Sequence, residues 1–125
     1  MIFDPNSELG LEYVLEELAR RYVFDQAERM VKPAAEGVLP RFVLGRAAEG
    51  CIWRFSAELS PSLVRSVAKL AGREKGRGLG EEPVMPPERL VMIRRLLRNG
   101  DEIPEAYREA LLIERATVGE LWIVD

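Results

Sequence analysis

A chain of 125 residues with 47% hydrophobic and 31% charged residues matches one globular domain that can bury a core without disulfides or metals. Its net charge of −3 gives no electrostatic case for nucleic acid, and its single cysteine excludes an intrachain disulfide. The absence of histidine excludes a Ser-His or Cys-His catalytic pair within the chain and disfavours zinc or iron. We therefore predict no metal and no catalytic residue. We expect a reducing cytoplasm, since neither a signal peptide nor a membrane span is recognisable.

The first predicted element is a helix that starts at Asp4-Pro5, a cap followed by proline at the first helical position. Four apolar residues follow at helical spacing: Leu11, Val14, Leu15 and Leu18. The helix is expected to end near Arg20 or Arg21. The runs 22–25 and 29–32 predict a short hairpin, and residues 33–40 a loop.

The segment 41–72 carries the clearest pattern in the chain. Residues 41–46 and 51–56 alternate as two strands of a hairpin, with Gly50 available for positive φ in the turn. Cys51, Trp53 and Phe55 share one face, and Arg54 lies on the other. The next helix, capped by Ser60, would cover the aromatic face with Leu63, Val64, Val67, Leu70 and Ala71.

The remaining elements are a loop, a helix and two strands. Residues 73–87 predict a flexible exposed loop, and Pro87 starts a helix that ends at Asn99-Gly100. Its buried face is expected to be Leu90, Ile93 and Leu97, broadened by Val91 and Leu96. Residues 103–108 suggest one short helical turn. Residues 111–114 and 121–124 predict two final strands, and the last of them could leave an edge that needs pairing or cover.

This order of elements predicts a single domain over residues 1–125. Grouped hairpins favour an α+β fold, an antiparallel sheet with about three helices packed mainly on one face.

Three residues of the hairpin and one of the last predicted strand are candidates for a ligand pocket: Trp53, Phe55, Arg54 and Trp122. Ligand pockets are largely apolar and aromatic, with a few polar groups. Aromatic side chains at alternate strand positions are more often simple core, however, and the pattern alone favours that interpretation. Cys51 beside them is expected to be a small buried hydrophobe.

Charged residues supply three weaker candidates. Arg73, Lys75 and Arg77 could bind an anion within an R-x-x-G-x-G sequence, although a solvated loop is the favoured interpretation. The arginines Arg94, Arg95 and Arg98 could face nucleic acid, or simply form the polar side of a helix. Four carboxylates could act as acid and base, although the terminal ones are expected on solvent faces: Glu109, Glu114, Glu120 and Asp125.

The segment 22–97 resembles the N-terminal accessory domain of bacterial GCN5-related N-acetyltransferase (GNAT) proteins. The resembling parts are Arg41-Phe42-x-Leu44-Gly45-Arg46, Glu49-Gly50, Trp53-Arg54-Phe55 and Leu63-Val64. Because the chain closes with a hairpin after Tyr107, the resemblance carries over no catalytic residue.

The resemblance implies a non-catalytic accessory module that binds a small ligand or a protein partner, with no cofactor. The alternatives are an acyl-CoA-dependent acetyltransferase relative, which would use acetyl-CoA through residues 73–78, and a nucleic-acid-associated regulator. Homodimerisation is compatible with all three.

Overall fold

The computed structural model describes residues 9–48, 50–74, 89–97, 106–113 and 116–124, which form an α+β fold. The elements in chain order are α1 (Leu9–Arg21), β1 (Tyr22–Phe24), β2 (Met30–Pro33), β3 (Phe42–Ala47), β4 (Gly50–Phe55), α2 (Pro61–Ala71), α3 (Leu90–Leu97), β5 (Ala106–Ile113) and β6 (Ala116–Val124). The predicted fold class is confirmed. The helix boundaries predicted at residues 4–5, 87 and 99–100 lie outside the described residues.

The main sheet has four antiparallel strands in the order β4-β3-β6-β5, and β1 pairs with β2 in a separate small sheet. Both early hairpins predicted from the sequence are confirmed. In the larger one Phe42 lies opposite Phe55, and Ala47 lies opposite Gly50. Gly50 has a φ of 154°, which glycine adopts without the strain that a Cβ would bring.

Two expectations about the C-terminal part were wrong. The last strand is not an edge, because β6 pairs with β3 on one side and with β5 on the other. The helical turn over residues 103–108 is also wrong from Ala106 onward, where β5 begins. Residues of β5 are extended because their backbone N–H and C=O groups pair with β6. The local sequence pattern of this segment does not show that a strand is available to pair with it.

Helices cover both faces of the sheet. On one face, α2 and α3 pack against alternate strand residues that include Phe42, Leu44 and Val124. On the other face, α1 and the small hairpin pack against Val43 and Ile123. Every residue of β3 is buried, because this central strand has a helical layer on each side. Two of the three described helices thus share a face.

The N-terminus of α2 follows its sequence signals. Ser60 is the cap, and its hydroxyl oxygen accepts a hydrogen bond from the Leu63 backbone N–H at 3.3 Å. Pro61 occupies the first turn, where no helical N–H partner is lost. Val67 and Ala71 of α2 are fully buried on the side of the helix that faces the sheet. The predicted stripe therefore faces the aromatic side of the sheet.

The close approach of α1 depends on two glycines in the sheet. Val14 of α1 is fully buried, and its two methyl groups lie over Gly45 of β3 and Gly119 of β6. A Cβ at Gly119 would lie 2.8 Å from Val14 Cγ2, and one at Gly45 would overlap Val14 Cγ1. The two glycines therefore form the depression that seats α1.

Candidate functional site

The aromatic residues that the sequence predicts as ligand-pocket candidates lie on the sheet face covered by α2 and α3. Phe55 is 7% exposed and Trp122 is 8% exposed, and both belong to the core on this face. The Phe55 ring lies 5.4 Å from that of Phe42 in a tilted arrangement. Trp53 is half-buried and packs against the same core. A ligand at Phe55 or Trp122 would have to displace a packed helix layer, whereas Trp53 also lines an open cavity with Cys51, Ile52 and Arg54.

Beside these aromatic residues lies a buried ion pair that sequence reasoning missed. Arg46 is 5% exposed and Glu120 is 4% exposed, and the Arg46 guanidinium donates hydrogen bonds to Glu120 Oε1. The indole Nε1–H of Trp122 donates to the same carboxylate oxygen at 3.1 Å. The Arg46 Cζ atom lies 5.9 Å from the centroid of that indole. The expectation of a solvent-facing Glu120 was therefore wrong.

The ion pair has a structural explanation. Arg46 faces Glu120 directly across the β3–β6 pairing, 74 residues away in sequence. Two charges buried together avoid the penalty of one buried alone, and the indole N–H adds a further hydrogen bond to the carboxylate. Glu120 is occupied by these contacts and is not presented to a substrate. The Glu109 side chain, Glu114 and Asp125 lie outside what the structure describes.

Cys51 lies in the same row of the sheet, opposite Arg46 on β4. Burial raises the pKa of its thiol to about 11, against the opposing effect of the Arg46 charge. The reactive form of cysteine is the thiolate, so a thiol with this pKa is a poor nucleophile at neutral pH. The half-buried Cys51 therefore resembles a packing residue, as the sequence predicted.

Alkylation of Cys51 tests this environment. At pH 8 the native chain should react with iodoacetamide about a hundredfold more slowly than the urea-unfolded chain, because its thiolate fraction is that much smaller. Since the folded pKa exceeds the unfolded one, the free energy of unfolding should also fall as pH rises from 9 to about 11. Cys51→Ala should remove that slope. Equal alkylation rates for the folded and unfolded chains would contradict the assignment.

The segment after α2 is held by the start of the next helix. Glu74 Oε1 accepts a hydrogen bond from the Arg89 backbone N–H at 2.6 Å, and Arg89 Nη1 donates to the Arg73 carbonyl at 3.0 Å. Arg73 itself is exposed, whereas Lys75 and Arg77 lie outside the described residues. The anion-binding prediction for these three residues therefore stays a prediction.

A cavity of about 400 Å³ lies at the N-terminal end of α2. Arg41 extends beside it and donates to the Leu97 carbonyl, and Ser56 Oγ accepts from the Glu58 backbone N–H at 3.2 Å. The Glu58 carboxylate also lines this cavity and would oppose an anion there. These polar groups are held by contacts within the chain.

Arg54 is the one nominated residue on the opposite face, where it borders a smaller cavity. This cavity of about 200 Å³, which we name the α1 groove, is lined by Leu15, Leu18, Ala19, Phe24, Glu28 and Arg54. Arg54 Nη1 donates to the Trp53 carbonyl at 2.8 Å, and Arg54 Nη2 lies 3.8 Å from Glu28 Oε2. The α1 groove is open to solvent. Its apolar floor is formed by the leucine, alanine and phenylalanine side chains, and Arg54 and Glu28 form its charged rim.

The turn that carries Glu28 has an uncommon backbone conformation. Glu28 has a φ of 60°, which is unusual for a residue with a side chain. Asp25 holds the turn, since its Oδ1 atom accepts from the backbone N–H groups of Ala27 at 2.8 Å and Arg29 at 3.0 Å. This strained turn sets Glu28 at the rim of the α1 groove.

The outward side of α3 is apolar as well as its buried side. Val91 is 49% exposed, Met92 52% and Leu96 40%, whereas the sequence pattern assigned Val91 and Leu96 to the buried face. With Arg95, which is exposed between them, these residues form a surface that we name the α3 outer face. Arg94 is half-buried, and Arg98 lies outside the described residues. The prediction of a nucleic-acid surface on Arg94, Arg95 and Arg98 therefore stays a prediction.

Within the described ranges, no three or more His, Cys, Asp or Glu side chains come together as a metal site. None of the helices in those same ranges has the length and apolar composition needed to cross a membrane. Comparisons of the chain with protein-family models, curated proteins and solved structures found no match. The surfaces formed by the described residues are therefore the basis for a function.

Proposed function

We propose that this protein is a non-catalytic module that binds a partner protein through the α3 outer face. The observation that carries the proposal is the pair of apolar sides on one short helix. Leu90, Ile93 and Leu97 are buried in the core, while Val91 and Met92 are about half exposed. Apolar side chains that are gathered on one exposed surface, rather than scattered singly, are typical of protein-binding sites. The α3 outer face is therefore the surface with most to gain from a partner.

The charge of α3 favours a partner with acidic residues. The helix sequence LVMIRRLL contains two arginines and no carboxylate. A second copy packed on the same face would bring Arg95 close to its counterpart, and like charges at an interface are unfavourable. An acidic segment with apolar side chains would instead match both Arg95 and the surrounding methyl groups. Met92 adds a side chain that adapts to different partners.

Two further observations support a binding role over catalysis. The buried pair Arg46 and Glu120 is bonded together and to Trp122, and the Cys51 thiol is held in its protonated form. The proposed resemblance of residues 22–97 to accessory domains beside bacterial acetyltransferases implies the same role, and we carry it over as part of this proposal. A lone cysteine suits a reducing compartment, so we propose that the module is cytoplasmic.

Site-specific photo-crosslinking tests the proposal. With p-benzoylphenylalanine in place of Met92, extract of the source organism should give one discrete, saturable protein adduct. Arg95→Glu in the same chain should weaken formation of that adduct at least about tenfold, because it replaces an attraction with a repulsion.

The matched control carries the photo-crosslinker in place of Val38, which is 80% exposed in the loop between β2 and β3. It should give no discrete adduct, because Val38 lies outside the α3 outer face. The same adducts from both positions, or only crosslinked copies of this chain, would refute the proposed function.

A further inference from the structure

The α1 groove has features of a small-ligand site that is separate from the α3 outer face. It lies between α1, the small hairpin and β4, on the sheet face opposite α2 and α3. Its floor consists of Leu15, Leu18, Ala19 and Phe24. Leu15 is 40% exposed, so part of this apolar surface is in contact with water. Covering it with an apolar group would be favourable.

The size of the groove limits its ligand. Its volume of about 200 Å³ is below the roughly 300–1,000 Å³ typical of sites for drug-sized molecules. A cavity of this size suits a small metabolite better than a drug-sized molecule. A nucleotide or an acyl-CoA is therefore too large to be enclosed here.

The rim of the groove offers one charge of each sign. The Arg54 guanidinium and the Glu28 carboxylate lie 3.8 Å apart, at the outer limit of an ion pair. The Glu28 side chain is 74% exposed, and the Arg54 side chain is 22% exposed. Exposed pairs of this kind contribute little stability, so exchanging their mutual contact for contacts with a ligand costs little.

We propose that the α1 groove binds a free α-amino acid with an aliphatic side chain. The ligand carboxylate pairs with Arg54 Nη2, because Arg54 Nη1 already donates to the Trp53 carbonyl. The ligand ammonium pairs with Glu28. The side chain lies on the floor formed by Leu15, Leu18 and Phe24. The ammonium and carboxylate groups of the ligand are attached to the same carbon, so they lie as close together as the Arg54 and Glu28 side chains do at the rim.

The presence of both rim charges distinguishes this ligand from simpler ones. A fatty acid would satisfy Arg54 but would place its carboxylate beside that of Glu28. An alkyl amine would satisfy Glu28 but would bring a second cation to Arg54. A zwitterion makes an attractive contact with each rim group, and its two opposite charges offset the repulsion that either charge alone would meet.

Titration followed by NMR tests the inference, with L-leucine as the probe. Binding in the millimolar range should shift the signals of the floor residues Leu15, Leu18 and Ala19. Three compounds serve as controls: 4-methylpentanoate lacks the ammonium, 3-methylbutylamine lacks the carboxylate, and glycine lacks the side chain. Each should bind at least about tenfold more weakly. No leucine-dependent shift, or binding of 4-methylpentanoate as tight as that of leucine, would overturn the inference.

Variants identify the contacts. Arg54→Met and Glu28→Gln should each weaken leucine binding at least about tenfold, whereas Glu12→Gln, an exposed change on α1, should leave it unchanged. Ala19→Leu adds bulk at an exposed floor position, so it should block the groove while the unfolding midpoint is retained. Full leucine binding by folded Ala19→Leu would overturn the assignment. The Arg95→Glu change should not affect leucine binding, so this inference and the proposed function can fail separately.

Discussion

Replacing Arg46 with Met is expected to lower the free energy of unfolding by about 3–5 kcal/mol, since it leaves Glu120 buried without its cation. Urea denaturation measures this as a lower midpoint with an unchanged slope. The expected loss is a large part of the stability of a typical domain. The variant should therefore be only marginally folded at room temperature.

A double-mutant cycle separates loss of the pair from loss of packing. Arg46→Met combined with Glu120→Leu should be more stable than the sum of the two single changes predicts, because no charge then remains buried alone. Arg20→Met is the matched surface control. Arg20 is 65% exposed and lies 3.5 Å from Glu17, so its loss should cost less than about 1 kcal/mol. Equal losses in the free energy of unfolding for Arg46→Met and Arg20→Met would show that the buried pair contributes no more to stability than the surface pair.

Gly45→Ala is the second change with a large expected effect, a loss of about 1–3 kcal/mol. The new methyl group would overlap Val14 Cγ1 and would lie 3.3 Å from Ile52 Cγ1. Val14 is fully buried in α1, so it cannot turn away into solvent, and the helix itself must shift. Urea denaturation gives the loss, and heteronuclear NMR should place the largest shifts in α1.

Relief of the overlap provides the test of mechanism. Gly45→Ala combined with Val14→Ala should destabilise the protein less than the two single losses added together, because the second change removes the obstructing methyl groups. Gly72→Ala is the control. Gly72 has a right-handed backbone with φ −65° and ψ −11°, and a Cβ there would lie 3.2 Å from the Ala68 carbonyl oxygen without overlapping a buried side chain, so alanine should cost less there than at Gly45. Strict additivity at Gly45 and Val14 would exclude the close approach of α1 as the cause.

Local patterns predicted much of the fold. The end of α1 at Arg21, both early hairpins and the Ser60 cap of α2 follow from residues close in sequence. Each of these features depends on helical period, strand alternation or turn chemistry, which short segments carry by themselves. The aromatic alternation at Trp53 and Phe55 likewise indicated a packed face, and Phe55 is buried in it.

The candidate surfaces were less predictable. The α1 groove brings Arg54 of β4 beside Glu28 of an early turn, and no sequence spacing relates the two. For the α3 outer face, the helical pattern identified the apolar residues but could not decide which of them a neighbour would cover. The helical pattern predicts that Val91 and Leu96 widen the buried apolar stripe, but both side chains are exposed in the structure.

The α+β class, the early hairpins and the packed aromatic strand are readable from the chain, because each depends on side-chain pattern within one or two elements. The interior position of β6 in the sheet and the burial of Glu120 against Arg46 exist only in the assembled fold. The same is true of the packing of α1 on Gly45 and Gly119. These features are contacts between segments far apart in the chain. Their energy comes from pairing and close packing that no local pattern encodes.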